Sequence, residues 1–228
     1  GRVHDGAQAR AAVAEAREAF DTFNIDLMYA LPGQTSAMLE ADLDAALAFA
    51  PPHLSIYHLT VEPNTAFAAV PPALPDADAA STMLDRIVER TALGGLARYE
   101  VSAFARAGHR CVHNLNYWQF GDYLGIGAGA HGKLSLRDRI FRQMRHRHPR
   151  EYMDRALAGN AIQAEQDVAP AELPFEFMMN TLRLHAGFAQ KRHLDLAGFL
   201  PAAADDVAVA ALRQRLGIEA GGVVGRDG

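Results

Sequence analysis

Two periodicities alternate along the first hundred residues. Ala7 to Phe20 is rich in Ala, Glu and Arg, with Val13, Ala16 and Phe20 near one face, so an amphipathic helix is predicted. Asn24 to Ala30 changes to period two. Ile25, Leu27 and Tyr29 alternate with Asn24, Asp26 and Met28, which predicts a strand whose Asp26 carboxylate points away from its bulky apolar neighbours. Leu31 to Thr35 has turn composition, and Thr35 or Ser36 can cap a helix carrying Leu39, Leu43 and Leu47 that stops at Pro51 and Pro52. A second strand is predicted over His53 to Thr60, a loop over Glu62 to Thr65, and a connector over Pro71 to Pro75. Asp76 to Leu93 reads as a helix with Leu84, Ile87, Val88 and Thr91 inward and Gly94 and Gly95 at its end. A third strand, Arg98 to Ala103, alternates Tyr99, Val101 and Ala103 with Arg98, Glu100 and Ser102.

Strands separated by helices at this cadence predict parallel pairing through right-handed crossovers. Sites in such sheets lie beyond the carboxyl ends of the strands, which puts Asp26, Met28, Thr60, Glu62 and Ser102 on one rim. Three strands cannot close a barrel, so either the sheet is open or its first half lies elsewhere. After Gly132 the pattern changes. Arg137 to Arg150 is crowded with Arg and His, and Glu151 to Ala158, Ala171 to His185 and Asp205 to Leu216 read as helices, with Gly217 as a stop. Phe175, Met178, Met179 and Leu182 fit a buried stripe, and Gly221 to Gly225 could open a hairpin.

Composition adds limits. Of 228 residues, 50% are apolar, enough for a sizeable core. A net charge of -5 argues against a dedicated nucleic-acid binder. The single cysteine makes no internal disulfide and favours a reducing, cytoplasmic setting. The apolar run Ala45 to Ala50 ends at Pro51, far short of the roughly 20 residues of a membrane span. A start at Gly1 with no initiator Met reads as a piece of a longer protein.

The densest chemistry lies in His113, Asn114, Leu115, Asn116, Tyr117 and Trp118, which include the only tryptophan. An imidazole beside flat aromatic side chains suits a metal-bearing planar ligand such as haem, and equally suits a satisfied histidine packed on two rings. Gly125, Gly127 and Ala130 fit a loose G-x-G-x-x-A pattern, but no βαβ unit or acidic partner brackets it. Those glycines instead predict a close backbone approach to a ligand or a neighbouring strand. Cys111 and His113 are two apart, a spacing that puts both on one side of a strand or loop. Arg137, Arg139, Arg142, Arg145, Arg147 and Arg150 could bind propionate or phosphate, or form a solvated face.

Taken together, Asn24 to Thr35, His53 to Tyr57 with Leu59, Thr60 and Glu62, Tyr99 to Ser102, His113 to Trp118 and Gly125 to His131 carry a resemblance. In order and spacing the sequence resembles radical S-adenosylmethionine proteins of the oxygen-independent coproporphyrinogen III oxidase family. The pattern H-N-x-x-Y-W, filled by His113, Asn114, Tyr117 and Trp118, resembles the haem chaperone branch. The resemblance implies an α/β fold: the C-terminal half of a (βα)6 partial barrel with parallel strands over residues 1–135, then a smaller, mainly helical domain over 136–228. It implies a four-iron, four-sulfur cluster whose three-cysteine loop is absent from this chain, so this piece alone cannot cleave S-adenosylmethionine reductively. It assigns Arg2, Asp26, Met28 and Thr60 to S-adenosylmethionine, and His113, Asn114, Tyr117 and Trp118 to haem with His113 on the iron. Asn114 would brace the backbone or the imidazole through a hydrogen bond. Ala30 stands where the family usually has glycine. The implied function is a cytoplasmic haem chaperone that delivers haem to a respiratory haem protein, at the membrane surface. The alternative is an oxygen-independent coproporphyrinogen III oxidase.

Overall fold

The computed structural model describes residues 4–187, and Arg2, the expected helix over Asp205 to Leu216, its stop at Gly217 and the expected hairpin at Gly221 to Gly225 lie outside them. Two compact units divide between Arg110 and Cys111. The division falls upstream of position 135, where the sequence changes character, because Tyr123 pairs with Lys133 and so ties the glycine-rich stretch to the strand after it.

In the first unit, α1 (Gly6–Ala19) starts at Asp5, whose carboxylate accepts the Ala7 and Gln8 backbone N–H groups while Gln8 returns a bond to the Asp5 N–H. Strand β1 (Asn24–Tyr29) leads into α2 (Ser36–Leu47), capped by Thr35. Strand β2 (His53–His58), the short helix α3 (Ala66–Ala69) and α4 (Ala77–Leu93), capped by Asp76, follow. The sheet order is β1-β2-β4-β3. Strands β1 and β2 are parallel, pairing Asn24 with His53, Asp26 with Ser55 and Met28 with Tyr57. Partnered residues point to the same face. One face therefore carries those six polar and amphipathic residues. The other carries Ile25, Tyr29, Leu54 and Ile56, packed with Leu39 and Leu43 of α2 and Met83 and Ile87 of α4.

The third strand departs from expectation. Arg98 to Ala103 is not one strand parallel to β2 but parts of two, β3 (Ala97–Glu100) and β4 (Ala103–Ala105), folded into an antiparallel pair. Strand β4 runs antiparallel to β2 and separates it from β3. The chain reverses because local polar groups close the bend: Glu100 accepts the Ser102 N–H at 3.1 Å, and Arg98 donates to the Val101 carbonyl.

The second unit contains α5 (Val112–Trp118), β5 (His131–Ser135), β6 (Ile140–Arg145), α6 (Pro149–Leu157), β7 (Ile162–Asp167) and α7 (Leu173–Thr181). It holds a three-stranded antiparallel sheet, β5-β6-β7. The periodicity misleads because β7 is exposed along nearly its whole length, so no apolar alternation marks it, and backbone pairing such as Phe141 with Asp167 holds it instead. The expected stripe on α7 is also rotated. Leu173, Phe177 and Thr181, four residues apart, face the core with Phe120, Ile140 and Val168, and Met178 packs at its edge. Phe175, Met179 and Leu182 are exposed.

Candidate functional site

Each unit carries one candidate site. In the first, the polar face of β1 and β2 borders a cleft of about 720 Å³ lined by His4, Asp26, Met28, Leu31, Asp42 and Tyr57, among others. The turn after β1 is sewn to α2 by Gln34, which accepts the Leu31 N–H and donates to Asp42 at 3.1 Å. Asp26 faces away from the helices, as the alternation predicts. Its Oδ1 accepts from Asn24 Nδ2 at 2.7 Å, and no other hydrogen bond reaches this carboxylate from the described residues. A carboxylate with a free oxygen accepts hydroxyl donors, while Met28, Leu31 and Tyr57 offer apolar and aromatic wall, so these residues fit a nucleoside. Met28 joins Asp26 at the cleft; Thr60, exposed and two residues past β2, is not among its lining residues.

Sequence reasoning missed His53. Its Nδ1 lies 2.6 Å from Asn24 Oδ1 and its Nε2 2.8 Å from the Tyr99 hydroxyl, so both ring nitrogens are engaged. Burial pushes this imidazole below its ordinary pKa, and the Asp26 carboxylate opposes the shift. The available signal was its register beside Asn24.

In the second unit, His113 to Trp118 form a helix, not a strand or loop, so the two-residue spacing of Cys111 and His113 does not align them as extended backbone would. Helical spacing instead brings His113 onto Tyr117, ring centroids 4.4 Å apart and planes at 83°. Tyr117 meets Tyr123 edge-on at 4.5 Å. Arg142 donates to the Tyr123 hydroxyl at 3.2 Å and pairs with Glu176 at 2.6 Å, so this member of the arginine-rich run is committed within the fold. Trp118 lies under the Arg183 guanidinium, 4.2 Å from ring centroid to Cζ, and its buried Nε1 has no acceptor among the described residues. His113 is exposed and Asn114 half-buried. Asn116 braces the segment, donating to the Asp122 carbonyl at 2.9 Å.

Behind α5 lies a buried cation that the sequence did not announce. Lys133, 2% exposed, donates to the Phe120 carbonyl, to Asp122 at 3.0 Å and to Ser135, and its ammonium sits 4.1 Å from the Phe120 ring centroid. Burial pulls the Lys133 pKa down, and Asp122 partly restores it. Burial works to raise the Asp122 carboxyl, but hydrogen bonds from Ser135 and Lys133 outweigh it and hold the group below the usual range. The glycine-rich stretch gives the close approach expected of it, against the neighbouring strand. A Cβ on Gly125 would collide with the His131 carbonyl oxygen, and Gly127 and Gly129 take positive φ.

No family model matches the chain. Over 221 residues it is 41% identical to the heme chaperone HemW of Haemophilus influenzae, covering 96% of this chain and 57% of that protein. It is 45% identical to HemW of Escherichia coli over 186 residues, 81% of this chain and 48% of the relative. HemW of Bacillus subtilis is 34% identical over 220 residues. Over most of its own length the chain is similar to HemW proteins.

It spans about half the length of the curated HemW relatives it matches. Its fold is also that of coproporphyrinogen III oxidase (HemN) from Escherichia coli, a radical SAM enzyme. There the TM-score is 0.68 at 21% identity, with 95% of this chain and 53% of that chain covered. The family resemblance carried by the two strand motifs and the His113 to Trp118 run is thereby borne out, as is the mixed α/β scaffold with parallel β1 and β2. Among the described residues no three His, Cys, Asp or Glu side chains gather as a metal site, and no helix is long and apolar enough to cross a membrane.

Proposed function

We propose that the protein to which this chain contributes is a haem chaperone built on a radical S-adenosylmethionine scaffold. It holds haem through α5 and passes it to a respiratory haem protein at the membrane surface, working from the cytoplasm. The observation that carries this reading is the exposed His113 imidazole, steadied edge-on by Tyr117, on a helix that also bears Asn114 and Trp118. His113 would ligate the iron, and Tyr117 and Trp118 would line the porphyrin. Similarity to proteins named heme chaperones supports the assignment.

In the first unit, Asp26 would accept the ribose hydroxyls of S-adenosylmethionine. Met28 would flank the same molecule, and Arg2 and Thr60 would complete its contacts as the family resemblance assigns them. When bound to a four-iron, four-sulfur cluster, S-adenosylmethionine supplies radical chemistry. The cluster's cysteines would come from a part of the full-length protein other than this chain, whose one cysteine cannot hold it.

Incubating the full-length, cluster-reconstituted protein separately with haem and with coproporphyrinogen III tests the reading. Stable haem binding, transfer to an apo haem protein and no decarboxylation are expected. Turnover of coproporphyrinogen III without haem retention would replace the chaperone by the oxidase.

A further inference from the structure

The Asp26 carboxylate is held by a line of hydrogen bonds that runs back into the sheet. Asn24 Nδ2 donates to Asp26 Oδ1 at 2.7 Å. The same amide accepts twice at Oδ1, from His53 Nδ1 at 2.6 Å and from the Ser55 hydroxyl at 3.1 Å. An amide oxygen only accepts, so the His53 proton is on Nδ1, and Nε2 of the neutral ring accepts from the Tyr99 hydroxyl at 2.8 Å. Every donor in the line points the same way: Tyr99 to His53, His53 to Asn24, Asn24 to Asp26. The burial that lowers the His53 pKa keeps the ring neutral and so keeps this direction.

Register makes the line possible. Asn24 pairs with His53 and Asp26 with Ser55, so these side chains share one face of the parallel pair, and buried Tyr99 of β3 reaches the far side of the imidazole. Asn24 is exposed at the start of β1, whereas His53 and Tyr99 are buried at 6% and 3% exposure. The amide's distinctive property is that it accepts from the buried ring and donates to the exposed carboxylate at once. One carboxylate oxygen is fixed in this way while the other is left for a ligand in the cleft.

We propose that Asn24, His53 and Tyr99 are positioning residues for a nucleoside diol bound by Asp26: the relay fixes the rotamer of the carboxylate. This rests on reading the β1–β2 cleft as the S-adenosylmethionine site.

The test is a double-mutant cycle on the full-length, cluster-reconstituted protein, with binding of radiolabelled S-adenosylmethionine measured by equilibrium dialysis. Asp26→Asn, Asn24→Leu and Tyr99→Phe are compared singly, and Asn24→Leu also in the Asp26→Asn background. Loss of a hydrogen bond to a charged acceptor predicts about tenfold weaker binding for Asn24→Leu, and Tyr99→Phe follows in the same direction with a smaller loss. In the Asp26→Asn background the Asn24 change is expected to add little, because both act through one carboxylate. Tyr99→Phe preserves the packed ring, whereas Asn24→Leu leaves the buried His53 Nδ1–H and Ser55 hydroxyl without their acceptor, so circular dichroism and urea midpoints check both folds and Tyr99→Phe alone carries the test if Asn24→Leu does not fold. If Asp26→Asn binds as wild type, the nucleoside reading of the cleft falls and the relay with it. If Asp26→Asn weakens binding while Asn24→Leu does not, or if the two losses multiply independently, the reading stands and the relay is overturned.

Discussion

His113 and Tyr117 meet edge to face on α5, ring centroids 4.4 Å apart and planes 83° from each other. Such a contact contributes roughly 0.5–1.5 kcal/mol when aromatic rings pack this way. It restricts the imidazole while leaving it exposed, the state in which an axial ligand loses little freedom on binding iron. Tyr117→Ala removes the contact but keeps the imidazole proposed to ligate the iron. Haem affinity of the full-length protein is expected to fall about three- to tenfold, with the position of the Soret band unchanged. A shifted band would mean that Tyr117 itself touches the iron.

The Lys133 network gives an asymmetric expectation for stability. Asp122→Ala strands a buried ammonium, a loss on the order of 3 kcal/mol, whereas Lys133→Met replaces the cation with apolar volume and leaves behind a carboxylate that already reaches solvent. Urea denaturation should therefore rank Lys133→Met as the milder change. Equal losses would show that the pair contributes as a unit rather than through the buried charge.

Gly125→Ala is expected to cost about 1–3 kcal/mol, since its Cβ would collide with the His131 carbonyl oxygen and backbone, not a flexible side chain, must give way. Gly159→Ala is the comparison. Its added Cβ meets nothing within 4 Å, so only the strain of its positive φ remains. A Gly125→Ala protein as stable as wild type would show that the two segments separate without penalty.

His53 makes stability depend on pH. Burial holds its folded-state pKa below the ordinary 6.5, with Asp26 opposing. As pH falls through about 6.5 the unfolded chain takes up the proton while the folded one does not, so stability declines until the lower folded-state value is passed. Urea midpoints are expected to drop between pH 7.5 and 5.5, and to drop less in His53→Gln. An identical decline in both proteins would remove His53 as the cause.

What the sequence made legible follows from how each residue's role is encoded. Asp26 was legible because one face of β1 is apolar and packed under α2 and α4, so a period-two pattern fixed the side of the carboxylate. The cap at Thr35 was legible because a Thr just before a helical apolar pattern is itself a start signal, whereas Asp76, expected as the first helical residue, is the cap that precedes it. The reversal at Val101 and Ser102 was not. It depends on Glu100 and Arg98 bonding to the bend, and an alternating string reads alike whether or not it folds back. Strand β7 escaped because pairing with β6, rather than burial, holds it. His53 and Lys133 each stand alone in the chain and gain meaning from partners brought by register or by a turn. The candidate haem residues could be named from their cluster, but only the helix shows that His113 meets Tyr117 edge to face and that Asn116 bonds the Asp122 carbonyl.

The most direct measurement is a haem titration of the full-length protein beside its His113→Ala variant, followed at the Soret band. The variant is expected to lose the wild-type band and to bind at least tenfold more weakly, with its circular dichroism unchanged. The same band and affinity in both proteins would remove His113 from the iron.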